Sequence, residues 1–129
     1  VLNYIKKFGH IMVQKFISQV TKGDKRVFII NGLVKGAIQR VPRKGSFVSN
    51  LAQGGKAIET KLNYKELKIS KIVAKHLKKS KIFFAGIDLV SNYLIGDINV
   101  TSPTGLKNFK DLSGVNLAED FWNNLEKLK

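Results

Sequence analysis

At 129 residues and 43% hydrophobic content, the chain is long enough for one domain with a real core and too short for several. Its formal net charge is +14, yet twenty of the 23 basic residues are lysine, and Arg26, Arg40 and Arg43 are the three arginines. Scattered lysine reads as a solvated surface, because base readout and phosphate clamping favour the bidentate fork of arginine. The absence of cysteine excludes disulfide frameworks, thiolate nucleophiles and cysteine-based zinc sites. No apolar run approaches the roughly 18 residues that span a bilayer, and no signal peptide is visible, so a cytoplasmic protein with no membrane partner is expected. The first residue is Val1 and the single methionine is Met12, which suggests a portion of a longer product.

Residues 1–8 read as the end of a helix closed by Gly9, and His10–Ile17, apolar and partly β-branched, as a buried strand. Lys22-Gly23-Asp24 is a turn. Lys25–Ile30 and Leu33–Val41 are strands joined by Asn31-Gly32, a strong short hairpin signal. From Pro42 to Lys56 glycine and small polar residues replace periodicity, which predicts a long loop. Asn63 with Glu66 forms a capping box that opens a helix to about Ser80. Leu67, Ile69, Ile72, Val73 and Leu77 face inward, and Lys65, Lys68, Lys71, Lys75 and Lys79 face outward. Ile82–Val90 and Tyr93–Val100 are antiparallel strands around Ser91-Asn92, followed by a loop over Thr101–Lys107. Asn116 with Glu119 predicts a second capping box and a final helix burying Leu117, Phe121, Leu125 and Leu128. The expected fold is a single α+β domain over 1–129, an antiparallel sheet packed with helices.

A symmetric turn at Ser91-Asn92 sets Asp88 opposite Ile95 and Gly86 opposite Asp97. Side chains alternate, so Ile87, Leu89, Leu94, Ile98 and Val100 share a core face, and Asp88, Asp97 and Asn99 share the other. Two carboxylates and an amide on one face suit Mg2+, which takes a few oxygen ligands and completes its octahedron with water and phosphate. Gly86 leaves room for a metal-bound phosphate. The bland alternative is an outer face with incidental acids.

The runs Ile82–Asp88 and Asp97-Ile98-Asn99-Val100-Thr101-Ser102-Pro103-Thr104-Gly105 resemble the end of bacterial glutathione synthetases. Gly23-Asp24-Lys25-Arg26, Arg40-Val41-Pro42, Asn50-Leu51 with Gly54-Gly55, and Gly114-Val115-Asn116 follow in the same order, so the likeness covers nearly the whole chain. The resemblance implies the carboxy-terminal subdomain of an ATP-grasp ligase. Such an enzyme joins γ-glutamylcysteine to glycine, with ATP as co-substrate and an acyl-phosphate between. By position it implies Asp97 and Asn99 as ligands of Mg2+ or Mn2+, and Asp88 facing the metal–phosphate cluster. Gln14, Lys15, Phe16 and Ile17 would line the adenine slot and Asp24 would lie near the ribose. Arg26 and Arg40 would act on phosphate and the dipeptide carboxylates, with Asn50, Lys56, Ser102 and Thr104 as further substrate contacts. Residues about 42–57 would form a mobile loop that closes over the intermediate.

The resemblance also implies a missing amino-terminal part, a homo-oligomeric complete enzyme and no turnover by this portion alone. Two departures stand out: the family usually has glutamate at Asp97, and often an arginine near Val48. An ideal Asn31-Gly32 hairpin sends Arg26 and Arg40 to opposite faces, so a bulge at Gly36 is expected if both serve one ligand. His10 and His76 lack metal-spaced partners, and Ser102 has no histidine placed to activate it. The alternatives are another ATP-grasp carboxylate–amine ligase, or a basic nucleic-acid-binding domain.

Overall fold

The computed structural model describes residues 2–13, 15–43, 54–90 and 94–128. A short helix, α1 (Leu2–Phe8), ends where Gly9 takes a left-handed conformation, as its sequence predicts. Residues 10–13 and 15–17 form no strand, and Met12, Val13 and Phe16 are exposed. An apolar run becomes a strand only where a neighbouring strand takes up its backbone groups. Neither sheet edge among the described residues does so. A 3-10 helix (Ser18–Lys22) follows and is closed by Gly23.

The sheet comprises β1 (Asp24–Ile30), β2 (Leu33–Val41), β3 (Lys56–Glu59), β4 (Phe84–Val90) and β5 (Leu94–Asn99). Their order is β3-β2-β1-β4-β5, and every pairing is antiparallel. β3 lies almost wholly in residues 57–62, to which the sequence reading gave no element, and it begins at Lys56, the last residue of the expected loop. It is four residues long, mostly exposed, and pairs along one side with β2. Residues 44–53 of the expected loop lie outside the described residues, as do Gln14, the expected turn at Ser91-Asn92 and Tyr93.

Helix α2 (Tyr64–Lys79) begins with the predicted capping box. The Asn63 side chain accepts from the Glu66 N–H at 3.0 Å, and Glu66 accepts from the Asn63 N–H at 2.8 Å. Glu66 also pairs with Lys25 on β1 at 2.8 Å, which fixes the start of the helix against the sheet. Val73, Ala74 and Leu77 pack on Val27, Ile29, Ala37, Ala85, Ile87 and Leu89. Ile72, expected inward, is 46% exposed, because the inward stripe is completed by the small residues Ser70 and Ala74.

The opposite face is covered by α3 (Leu106–Ser113) and α4 (Leu117–Glu126). Phe109 and Leu117 pack there on Phe28, Ile30 and Ile38, and Phe121 stacks edge-on against Phe83 and Phe84. Because helices cover both faces, the centre of β1 reads as the unbroken apolar run Val27-Phe28-Ile29-Ile30, all fully buried. Helix α3 was missed in the sequence, which places a loop to Lys107 and nothing helical before Asn116. Its single buried anchor is Phe109, too sparse a signal for periodicity. The second capping box does not form. The Asn116 side chain makes no cap bond and instead lies 3.4 Å from the Glu119 carboxylate. Leu117 is buried as expected, Phe121 and Leu125 partly so, while Leu128 lies past the end of α4 and is 62% exposed.

Two irregularities decide which side chains meet. In the β1–β2 ladder Phe28 opposes Gly36 while Ile29 opposes Val34, so Lys35 is an extra residue, the expected bulge. It sets Arg40 opposite Asp24, on the same face as Arg26. Phe109 packs on Gly36, where a Cβ would lie 2.4 Å from the ring. The β4–β5 ladder also shifts, between Asp88 and Leu89. With Val90 already paired to Leu94, one residue off the symmetric register, this shift sets Asp97 directly opposite Asp88 and Asn99 opposite Gly86, a correction to the symmetric hairpin. Ile87 and Leu89 are core, but Ile95, Ile98 and Val100 on this edge are exposed, because α2 does not reach across to β5.

Candidate functional site

Residues directly opposed in a ladder share a face. On the α3–α4 side β1 contributes Asp24 and Arg26, β2 contributes Arg40, β4 contributes Gly86 and Asp88, and β5 contributes Asp97 and Asn99. Toward one end of this face the inward residues are Phe28, Ile30 and Ile38. Toward the other they are charged.

The charges are interlocked. Arg26 donates through Nε and Nη2 to the two oxygens of Asp88, the second at 2.9 Å, and through Nη1 to the Thr104 carbonyl at 3.1 Å. Arg40 donates through Nε and Nη2 to Asp24 at 2.7 and 2.8 Å, and its Nη2 lies 2.7 Å from Asp88 Oδ2. Asp88 is thus the shared anion of two guanidiniums, one of them bound as a two-pronged fork. Arg26, Arg40 and Asp88 are all buried, at 4, 5 and 7% exposure. Burial alone would lower the pKa of Arg40. The hydrogen bond to Asp24 and the charges of Asp88 and Asp24 outweigh it, so the net shift is upward. A raised pKa favours the folded state at all pH values below the ordinary arginine range, so this contribution is intact at any working pH.

Asp97 is exposed beside this network. The Asn99 side-chain oxygen accepts from the backbone N–H groups of Thr101 and Ser102, at 3.1 and 3.0 Å, and so shapes the chain leaving β5. Pro103 is buried, while Ser102 and Thr104 side chains are exposed. The space over Gly86 is filled rather than open: a Cβ there would lie 2.8 Å from Arg26 Cδ and 2.9 Å from Pro103 Cβ. The reading of Gly86 as room for a phosphate is corrected accordingly.

The structure therefore gathers Asp24, Arg26, Arg40, Asp88, Asp97, Asn99 and the Thr104 carbonyl. It places Lys15, Phe16 and Ile17 elsewhere, in a largely apolar cleft of about 550 Å³ completed by Val20, Val90, Ile95 and Gly96. Lys56 begins β3, on the sheet edge opposite Asp97, and Asn50 lies outside the described residues. Asp24 was expected near a ribose; here its carboxylate holds Arg40. The Thr104 carbonyl was overlooked because no sequence pattern marks a backbone acceptor. The Asp24/Arg26 alternation on a strand that ends Phe28/Ile30 was the available sign of a half-charged face.

Among the described residues no group of three or more His, Cys, Asp and Glu is gathered to hold a metal ion. The donor set on offer is two carboxylates and an amide, oxygen ligands of the kind that Mg2+ takes, so the residues fit that ion in type. Asp97 presents its carboxylate to solvent, whereas Asp88 is engaged by arginine and Asn99 by backbone. No helix among the described residues is long and apolar enough to cross a membrane.

Comparison with known proteins gives the family of the chain. The model of the family described as "Prokaryotic glutathione synthetase, ATP-grasp domain" matches residues 2–114. A glutathione synthetase of Prochlorococcus marinus subsp. pastoris is 48% identical over 109 residues, covering 84% of this chain and 35% of the relative. Those of Bradyrhizobium diazoefficiens and Mesorhizobium japonicum are 39 and 37% identical, covering 90 and 95% of this chain and 37 and 40% of theirs. The chain thus spans little more than a third of the length of the curated relatives it matches. Across nearly all of its own length, it belongs to the ATP-grasp domain family of prokaryotic glutathione synthetases.

Proposed function

We propose that this chain is the carboxy-terminal part of an ATP-dependent ligase that makes glutathione. The reaction joins the cysteinyl carboxylate of γ-glutamylcysteine to the amine of glycine in the reverse sense of peptide hydrolysis: that carboxylate takes the γ-phosphoryl group of ATP, and the glycine amine then displaces phosphate. The observation that carries this reading is the Asp24–Arg40–Asp88–Arg26 chain, buried except for the half-buried Asp24, beside Asp97 and Asn99 on one face of a family-matched sheet.

Phosphoryl transfer asks a protein for positioning and charge stabilisation more than for covalent chemistry. Two guanidiniums held rigid by carboxylates meet that need, since their N–H groups are oriented before any anion arrives. When bound, Mg2+ would supply positive charge to offset that of the phosphates. Asp97 and Asn99 are the residues that would hold it, with Asp88 facing the metal–phosphate cluster, and Arg40 and Arg26 would steady the phosphate and substrate carboxylates. Lys15 to Ile17 would meet the adenine in their apolar cleft. Ser102 and Thr104 would face the peptide substrate. The cytoplasm is the compartment where such a ligase would work.

The test replaces the matching segment of the Prochlorococcus relative with this chain. The completed enzyme is expected to release ADP only when γ-glutamylcysteine, glycine and Mg2+ are all present, and the chain by itself is expected not to turn over. ADP release that ignores γ-glutamylcysteine, or needs a different amine, would assign another ATP-grasp ligase.

A further inference from the structure

Resting on that reading, one feature of the site has no role in it: the packing over Gly86. Arg26 is anchored to Asp88 through Nε and Nη2 and to the Thr104 carbonyl through Nη1, so all three nitrogens of its guanidinium are committed. A salt bridge fixes the head of an arginine, but the four-atom stem retains several rotamers unless it is packed. Here the stem crosses the bare α-carbon of Gly86 with Pro103 beside it. A Cβ at 86 would stand 2.8 Å from Arg26 Cδ, 3.2 Å from its Nε and 2.9 Å from Pro103 Cβ. No Cβ coexists with both neighbours unless one of them shifts.

Pro103 is itself held. Asn99 accepts from the N–H groups of Thr101 and Ser102 on one side of it, and Thr104 is tied to Arg26 on the other. We propose that Gly86 and Pro103 are positioning residues: together they form a slot that locks the Arg26 stem, and through Arg26 they set the orientation of the Asp88 carboxylate. The backbone at Gly86 does not require glycine for its own conformation, since it is absent from the positive-φ positions. The slot is the reason for glycine there.

The slot is tested by hydrogen exchange at Arg26 Nε–H, read by NMR in the completed enzyme, with the Phe28 backbone amide as an internal reference on the same strand. In the parent, Arg26 Nε–H is expected to exchange slowly. Pro103→Ala and Gly86→Ala are each expected to speed that exchange at least tenfold while Phe28 retains its protection. kcat should fall at least tenfold, with KM for ATP changed less than twofold. Should Gly86→Ala also expose Phe28, the fold has been lost, and Pro103→Ala, which only removes ring atoms, decides. Unchanged Arg26 Nε–H exchange in Pro103→Ala overturns the proposal. A parent enzyme that forms no ADP with γ-glutamylcysteine and glycine overturns the functional reading instead, and leaves the exchange result to judge the slot on its own.

Discussion

The two faces of the sheet both carry helices and are built on different principles. Under α2 the contacts are aliphatic, from Val27 and Ile29 to Val73 and Leu77, and the buried charge is Glu66, which caps its own helix and pairs with Lys25. Under α3 and α4 the apolar packing runs only part of the way along β1, and gives over to Arg26, Arg40 and Asp88 where Phe28 and Ile30 leave off. Aliphatic packing stabilises without requiring a particular arrangement of atoms, because dispersion and water exclusion are nearly direction-free. A buried ion network contributes little net stability, since desolvation offsets most of the attraction, but it has a single good geometry. One face therefore holds the domain together, and the other holds side chains in register.

If that division is right, substitutions on the two faces should separate stability from chemistry. The largest effect is expected from Asp88→Ala, which leaves two buried guanidiniums short of their shared anion. It should cost about 3–5 kcal/mol in urea unfolding and abolish turnover in the completed enzyme. Leu77→Ala, on the α2 face, should cost about 3 kcal/mol by cavity formation. kcat should remain within twofold at a temperature where the variant is folded; a loss of kcat as deep as that of Asp88→Ala would dissolve the distinction. Asn63→Ala removes one half of the capping box and should cost about 1 kcal/mol, again with kcat preserved. Asp97→Asn should change stability by no more than about 0.5 kcal/mol, as expected for an exposed side chain. It should nevertheless weaken Mn2+ binding, measured by electron paramagnetic resonance, at least tenfold. Undiminished Mn2+ affinity would remove Asp97 from the metal site.

The sequence was most legible where a local rule acts alone. The Asn31-Gly32 turn, the Asn63/Glu66 cap and the run of β1 each rest on a few neighbouring residues, and each forms as written. The shared face of Arg26 and Arg40 was legible only through the resemblance: an ideal hairpin sends them to opposite faces, the shared role asked for an extra residue, and Gly36 marked the neighbourhood of the bulge. It was less legible where the outcome depends on a partner remote in sequence. The apolar 10–17 stretch has strand composition and no strand beside it. β3 exists because β2 offers it an edge, and α3 because Phe109 finds Gly36. In the site, residue types pointed to the right face, but the pairing near the turn, Val90 with Leu94, is already one residue off the symmetric hairpin, and the shift at Asp88/Leu89 adds a second, so Asp97 moves from diagonal to opposite. The occupancy of the space over Gly86 depends on where a proline seventeen positions on comes to rest.

The aromatic ring of Phe109 resting on Gly36 means that positions 36 and 109 divide a single volume between helix and strand. Neither can grow unless the other shrinks: a methyl added at 36 has to be matched by a smaller ring-free side chain at 109, at the expense of the edge-on stacking of Phe109 with Phe28. Sequence change at this seam is thus expected to arrive as paired exchanges, and a designer wishing to re-angle α3 over the sheet would start with those two positions.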